Sequence, residues 1–453
     1  MFSKKQKVAV PVALMLMVLI ISWFSLPALA AYKEVQVNIP PGFKFGTYTQ
    51  KPWAGKTIHV AMVAEPRSDA LKALVGEFEK LTGIKVVFDI LAYPTLQEKQ
   101  MVALTQGTGA YDVVHVDCVW VGQYAGEGWT IPLEKFILRT DRETLALDDF
   151  IPSVLEEQGM WEDRIHGLPF INAAFGLHYR TDIFEKYGIN VPQTWEELKE
   201  TAEKLNLKEP GVNGITFMGR RGVQLQCTYD NMIWSFGGEW YDENYRPTIN
   251  SPAAVAALEY FKSLIPFAPR GVLTYDWDES ARTFADGRAA MNLQWHNAAP
   301  LCSDPSKSKI VGKFDFAMIP GKLQPDGSIK RTPTFGGWSL EIPVDSKFKE
   351  AAWEFIVWAT SPEMEPRLAY AQPGDRFSSL ADPELQAKYV GYPTLLKSLP
   401  IAKGRPRIPA YSELADALEV ALSEAMTGAK SAKKALDEAN KKFEFILRKW
   451  GYL

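Results

Sequence analysis

The stretch from Ile58 to Ile90 narrows the choice of fold more than any other part of the chain. Ile58, Val60 and Met62 alternate as a half-buried strand does. Ser68 is placed to cap a helix whose apolar face is Leu71, Leu74, Val75, Phe78 and Leu81. Gly83 ends that helix, and the chain returns over Ile84–Ile90 as a second strand. Strand, helix and strand in that order make a parallel pair with a right-handed crossover, the unit of a doubly wound α/β sheet. No Gly-x-Gly-x-x-Gly follows the first strand, so a dinucleotide fold has no support. The loop Ala64-Glu65-Pro66-Arg67 instead puts charged groups at the carboxyl end of the strand, where open α/β sheets bind ligands.

The same logic singles out a second strand end. Tyr111–Val116 reads as a buried strand, and Asp117, Cys118, Val119 and Trp120 follow it. A carboxylate and an indole there suit a sugar; the plainer alternative is a helix cap and a core residue. Trp161–Leu198 then packs a strand end, an aromatic turn and a helix into one unit. Leu177–Arg180 is short and apolar-aromatic, and Thr194 with Glu197 forms a capping box, each side chain satisfying a free amide. Further helices are expected after Ser251-Pro252, after the acidic-aromatic run Tyr275–Glu279, and after Ser361-Pro362. Thr334–Ser339 is a glycine turn presenting Trp338, and Ala289–Leu293 is a strand running into Trp295. The final helix carries Leu436, Phe443, Leu447 and Trp450 on one side, which reads as core.

At the start, Lys4, Lys5 and Lys7 precede an apolar run from Val8 to Leu26, and Ala28-Leu29-Ala30 offers a peptidase site. That is the layout of a secretory signal over residues 1–30, with an uncleaved membrane anchor as the alternative. Residues 31–55, rich in Pro, Gly, Thr and Tyr, read as an extended N-terminal arm. What remains is too long for one ordinary domain and suggests two, interleaved. A net charge of −4 gives no reason to expect nucleic acid or an anionic membrane as partner. Cys118, Cys227 and Cys302 lie far apart without metal-ligand spacing. They read either as one disulfide plus a thiol or as three buried small hydrophobes.

No nucleophile elbow, phosphate loop or metal motif is present, and the five histidines show no ligand spacing, so neither a metal nor a cofactor is expected. Two carboxylates could support glycoside hydrolysis, but with 54 acidic residues some pair always looks available. The fourteen Trp residues fit a binding cleft better. A sugar offers apolar C–H faces for an indole and hydroxyls for carboxylates, amides or Arg. Covering ~60 Å² of indole and sugar contributes about 1.5 kcal/mol. Several such contacts reach the ~8 kcal/mol of a micromolar complex.

Six motifs, in order, give the chain a family likeness. They are Glu77–Val86, Tyr111–Val114, the unit at Trp161–Leu198, Phe284–Met291, Gly336-Gly337-Trp338, and Ala351–Ile356 with Thr360–Glu363. Together they resemble the extracellular solute-binding proteins of family 1, the receptors that feed carbohydrate ABC importers. The resemblance implies a two-lobed periplasmic-binding-protein fold, each lobe a mostly parallel doubly wound sheet, joined by a hinge. It implies lobe 1 over 56–165, lobe 2 over 166–284, a return to lobe 1 over 285–345, and lobe 2 with C-terminal helices over 346–453. It places Glu65, Asp117 and Trp120 on the first lobe's cleft edge and Trp234 on the second. It puts Trp295 and Trp338 over the ligand, Arg376 in the last cleft loop, and Asn172 where members carry a polar contact. Many members have an Asp near that position, where this chain reads Ile171-Asn172-Ala173. The implied protein is a periplasmic monomer that binds a sugar, oligosaccharide or sugar alcohol, is not an enzyme, and docks on membrane permease subunits. A secreted carbohydrate-active enzyme is the rival reading, and an adhesin-like structural protein the third.

Overall fold

The computed structural model describes residues 36–453. The expected signal segment lies outside the described residues. No described helix is long and apolar enough to cross a membrane.

One sheet of eight strands organises the molecule. Thr57–Val63 lies between Lys85–Leu91 and Val113–Asp117 and is parallel to both. Phe335–Glu341 runs antiparallel beside Val113–Asp117. Next comes a strand of 14 residues, Gly167–Arg180. Its first half pairs with Phe335–Glu341. Its second half pairs antiparallel with Met291–Trp295 and Phe314–Met318. Thr216–Phe217 lies parallel to Met291–Trp295 at the far edge. The long strand is thus shared by two half-sheets, and its middle, near Ala174 and Phe175, is where the chain crosses from one lobe to the other. Its residues are buried up to Leu177 and His178, as a strand covered on both faces must be.

The β-α-β unit stands where the pattern puts it, with one change. The helix spans Pro66–Thr82, with Pro66 in its first turn and Ser68 already inside it, so Ser68 does not cap. Proline starts the helix because its missing N–H would have had no partner there. Gly83 closes it in the left-handed region at φ 75°. Thr194 and Glu197 form the reciprocal capping box, Ser251 caps its helix, and Asp276 with Glu279 forms a second box. After Ser361-Pro362 the chain makes only a short helix, Met364–Leu368. In the last helix Leu436, Phe443 and Leu447 are buried, but Trp450 is 37% exposed and hydrogen-bonds Glu413. All three cysteines are buried and free.

The expected lobe boundaries differ from the pairing in two places. Met291–Trp295 belongs to the second half-sheet, so the chain returns to the first only at Phe335. Helix Lys349–Ala359 then packs on the first lobe, where Phe78 meets Phe355 and Trp358 at 5.5 and 5.4 Å between ring centroids. Helices Tyr411–Met426 and Ala432–Lys449 pack against each other and against Val223–Ser235 and Pro252–Lys262 of the second lobe.

The N-terminal arm is docked rather than trailing. Phe45 is fully buried, stacks on Trp53 at 5.3 Å and exchanges backbone hydrogen bonds with Arg139 and Asp141. Replacing Phe45 with Ala should therefore lower unfolding free energy by about 3–5 kcal/mol in chemical denaturation, the usual cost of an emptied aromatic site. A loss near zero would show that the arm contributes nothing to the fold.

Candidate ligand-binding cleft

A cavity of about 940 Å³ opens between the two lobes at the carboxyl ends of the parallel strands. Glu65 and Pro66 follow the first strand, Tyr93 and Pro94 the second, and Asp117 ends the third. Trp338 and the paired glycines Gly336 and Gly337 come from the returning strand, and Ile171 and Ala173 from the shared one. The second lobe contributes the turn before helix Val223–Ser235, the start of helix Trp277–Ala285, and Trp295. Gly336 has to be glycine: a Cβ there would stand 2.9 Å from the Trp295 ring. At Gly337 a Cβ would collide with the Gln158 amide.

The polar groups of the wall are held by one another. Trp295 donates its indole N–H to Gln224 at 2.8 Å, and Trp277 donates to Asn297 at 3.1 Å. Asp117 accepts from the Tyr93 hydroxyl at 3.0 Å and pairs with Arg405 at 3.4 Å. Arg405 also reaches the Tyr411 hydroxyl, which donates to Gln226; Gln226 in turn donates to Asp230. A buried hydrogen-bonded path thus joins Asp117 of the first lobe to a helix of the second. Burial pushes Asp230 up to about 6, opposed by its bonds from Gln226 and Trp240. Burial also pushes Glu65 up to about 6, against hydrogen bonds from Gln372 and Asn297, with the Asp117 charge adding to the rise. Gln372 sits 2.9 Å from the Glu65 carboxylate.

Below the cleft lies a buried ion pair, Arg67 with Glu365 at 2.8 Å. Arg67 also donates to the Gln372 carbonyl and lies 5.0 Å over the Phe170 ring. Asp375 is buried beside this pair; burial, and then the Glu365 charge, raise its pKa far above the usual carboxylate range.

Of the eight residues expected here, Glu65, Asp117, Trp295 and Trp338 line the cavity. The other four do not. Trp120 is one layer behind, edge-on to Trp338 at 5.4 Å and against Tyr93 at 5.0 Å. Asn172 is fully buried and donates to the Gly374 carbonyl, because alternation along the strand turns it away from the cleft that Ile171 and Ala173 face. Trp234 is in the core of its helix, with Lys403 5.2 Å over its ring. Arg376 is spent on the first lobe: it donates to the carbonyls of Leu145, Ala146 and Thr360 and lies 3.9 Å from the Phe150 ring. Tyr93, Trp277, Asn297, Gln372 and Arg405 are wall residues that the sequence reading passed over. Tyr93 was reachable, since Tyr93-Pro94 follows its strand just as Glu65-Pro66 follows the first. Arg405 was not, since nothing periodic surrounds it.

A family model described as "bacterial extracellular solute-binding protein" matches residues 64–366. The chain belongs to that family. This solute-binding protein is 28% identical over 371 residues to the mannitol-binding protein of Pseudomonas aeruginosa, covering 77% of this chain and 83% of the relative. It is 25% identical over 417 residues to a probable amino-acid ABC transporter periplasmic-binding protein of Sinorhizobium fredii, covering 89% and 92%. Among solved structures it resembles an ABC transporter solute-binding protein of Agrobacterium radiobacter in complex with ribitol. That match has a TM-score of 0.80 at 33% identity and covers 87% of this chain and 100% of the other.

The placement of Arg376 gives a direct check. Arg376→Met removes the donors to three carbonyls, of which those of Leu145 and Thr360 are buried and cost about 1–3 kcal/mol each when left unpaired. The expected result is a solute-binding protein with a clearly lowered denaturation midpoint and unchanged ligand affinity while folded. A loss of affinity at unchanged stability would put Arg376 back in the cleft.

Proposed function

We propose that this chain is the periplasmic receptor of an ABC importer for a sugar or sugar alcohol, and that it binds its ligand without altering it. The observation that carries the reading is the balance of groups in the cavity. Indoles from both lobes, Trp338 and Trp295, face it together with the carboxylates Glu65 and Asp117. Every arginine on its wall is already paired with a carboxylate: Arg220 with Asp276, Arg221 with Asp416, and Arg405 with Asp117. A zwitterionic amino acid needs an uncommitted cation for its carboxylate; a polyol needs acceptors and flat apolar faces. The cavity supplies the second set, which separates it from the amino-acid reading attached to the Sinorhizobium relative. Glu65 and Asp117 accept ligand hydroxyls, and Trp295 and Trp338 cover the C–H faces. Trp120, Asn172, Trp234 and Arg376 hold the frame.

Contacts come from both lobes, so a ligand that touches both stabilises the closed arrangement over the open one. The closed receptor is then the form that membrane permease subunits recognise, with transport energy supplied by the importer's ATPase. The protein works as a monomer outside the cytoplasmic membrane. Calorimetry against ribitol, mannitol, maltose and a set of free amino acids tests the reading. Micromolar heat with a polyol or sugar and no product formed is expected. Tight binding of an amino acid, or turnover of a glycoside, would overturn it.

Glu65 makes the binding pH-dependent. Its carboxylate must be ionised to accept two hydroxyl donors, and its raised value near 6 means that a proton competes below that pH. Affinity should hold from pH 8 to 7 and fall by at most about tenfold per unit below 6, the limit for one linked proton. Glu65→Gln should bind more weakly at pH 7.5 and lose that slope. An unchanged slope in the variant would assign the dependence elsewhere.

A further inference from the structure

The charges on the cavity wall do not balance. Four carboxylates line it: Glu65, Asp117, Asp276 and Asp278. Asp276 is taken by Arg220 and Asp117 by Arg405, while the third arginine on the wall, Arg221, pairs outside it with Asp416. Among the described residues no lysine or histidine lines the cavity, and Glu65 and Asp278 have no ion-pair partner.

Glu65 is the sharper case. It stands at the N-cap of helix Pro66–Thr82 but does not cap it with its side chain. Its carboxylate meets only neutral donors, the side-chain amides of Gln372 at 2.9 Å and of Asn297. Neither amide brings a positive charge, and Asp117 brings a second negative one. With a value of about 6, the Glu65 carboxyl is still ionised at neutral pH. Donors are scarce there too. The Asn297 oxygen already accepts from Trp277, whereas the Gln372 Oε1 is buried without a hydrogen-bond partner among the described residues. An acceptor buried in that way costs free energy until a donor reaches it. This corner of the cleft is rich in acceptors and lacks both a donor and a positive charge.

We propose that the preferred ligand carries a protonated amine: an amino-alditol or amino sugar whose ammonium group lies against Glu65 and Gln372, with its hydroxylated chain between the lobes. This rests on the reading of the cleft as a polyol or sugar site; the ammonium takes the place of one hydroxyl. An ammonium supplies three donors and the missing charge at one point, where a hydroxyl supplies one donor and no charge. On the Glu65 carboxylate a hydroxyl gains a hydrogen bond, and an ammonium gains the bond together with the Coulomb attraction. Asp278, in the first turn of helix Trp277–Ala285, adds to the same negative field from the other lobe. A sugar acid would instead meet Glu65 with like charge.

Calorimetry at pH 7 on the intact protein compares ligands that differ at one group: sorbitol with 1-amino-1-deoxysorbitol, mannitol with 1-amino-1-deoxymannitol, and glucose with glucosamine. At least one amine should bind about tenfold more tightly than its hydroxyl parent, the effect of one ion pair in a partly desolvated site. N-acetylglucosamine, which keeps the nitrogen and loses the charge, should show no such gain, and gluconate should bind more weakly than sorbitol. Glu65→Gln should bring amine and parent to within about twofold of each other, since it keeps the shape and removes the charge. Raising the pH past the ammonium's own pKa should do the same in the unaltered protein, a measurement that needs no variant to fold. Parents that bind while no amine gains would overturn the charge reading alone. So would a gain that survives in Glu65→Gln, or gluconate binding more tightly than sorbitol. Silence with every sugar, alditol and amine would overturn the reading of the cleft as well.

Discussion

Everything in this molecule hangs on the shared strand Gly167–Arg180. Its backbone groups are committed to one half-sheet over its first half and to another over its second. A strand buried on both faces cannot leave either ladder without exposing unpaired amides, so the two lobes are held in one register. The cleft exists because the paired partners diverge there: Phe335–Glu341 goes one way and Met291–Trp295 the other. The side chains of Trp338 and Trp295, on those two partners, consequently face one space. Glycines at 336 and 337 let the backbone pass beneath the indole and the Gln158 amide.

Charge is distributed around that joint by burial and not at random. Arg67, Glu365 and Asp375 sit beneath the cleft, and Asp117, Arg405 and Asp230 run along it. A buried ion pair contributes little net stability, but breaking one partner away is costly, because the other is left uncompensated in a low-dielectric site. Such pairs therefore fix geometry more than they add stability. Here each arginine also bonds a group on the cavity wall or its carbonyl: Arg67 the carbonyl of Gln372, Arg405 the carboxylate of Asp117. The wall is positioned from behind by charges that no ligand needs to displace.

The four expected site residues that lie off the cavity wall do so for a common reason. Trp120, Trp234 and Arg376 are chemically suited to a sugar, and each is close in sequence to residues that do line the cavity. Their side chains point into the lobes because the helix phase or loop path turns them there. Asn172 is turned away by one step of strand alternation, between two neighbours that both face the cleft.

The sequence by itself determined the local units: the β-α-β start, the caps at Thr194 and Ser251, the helix after the acidic-aromatic run Tyr275–Glu279, the glycine stop at Gly83, and the family likeness carried by six ordered motifs. It also gave the strand ends at Glu65 and Asp117, because position at a carboxyl end follows from strand order alone. These are short-range facts, set by periodicity and by the backbone groups each residue can satisfy. Only the tertiary structure decided that Met291–Trp295 joins the second half-sheet, that the N-terminal arm is packed, and that Arg405 and Gln372 reach the cleft wall from the far end of the chain. Those outcomes depend on contacts between residues far apart in the chain, 312 positions for Asn38 with Glu350 in the arm and 307 for Glu65 with Gln372 at the cleft wall. No local pattern encodes which of many compatible surfaces will meet; burial of the whole chain chooses among them.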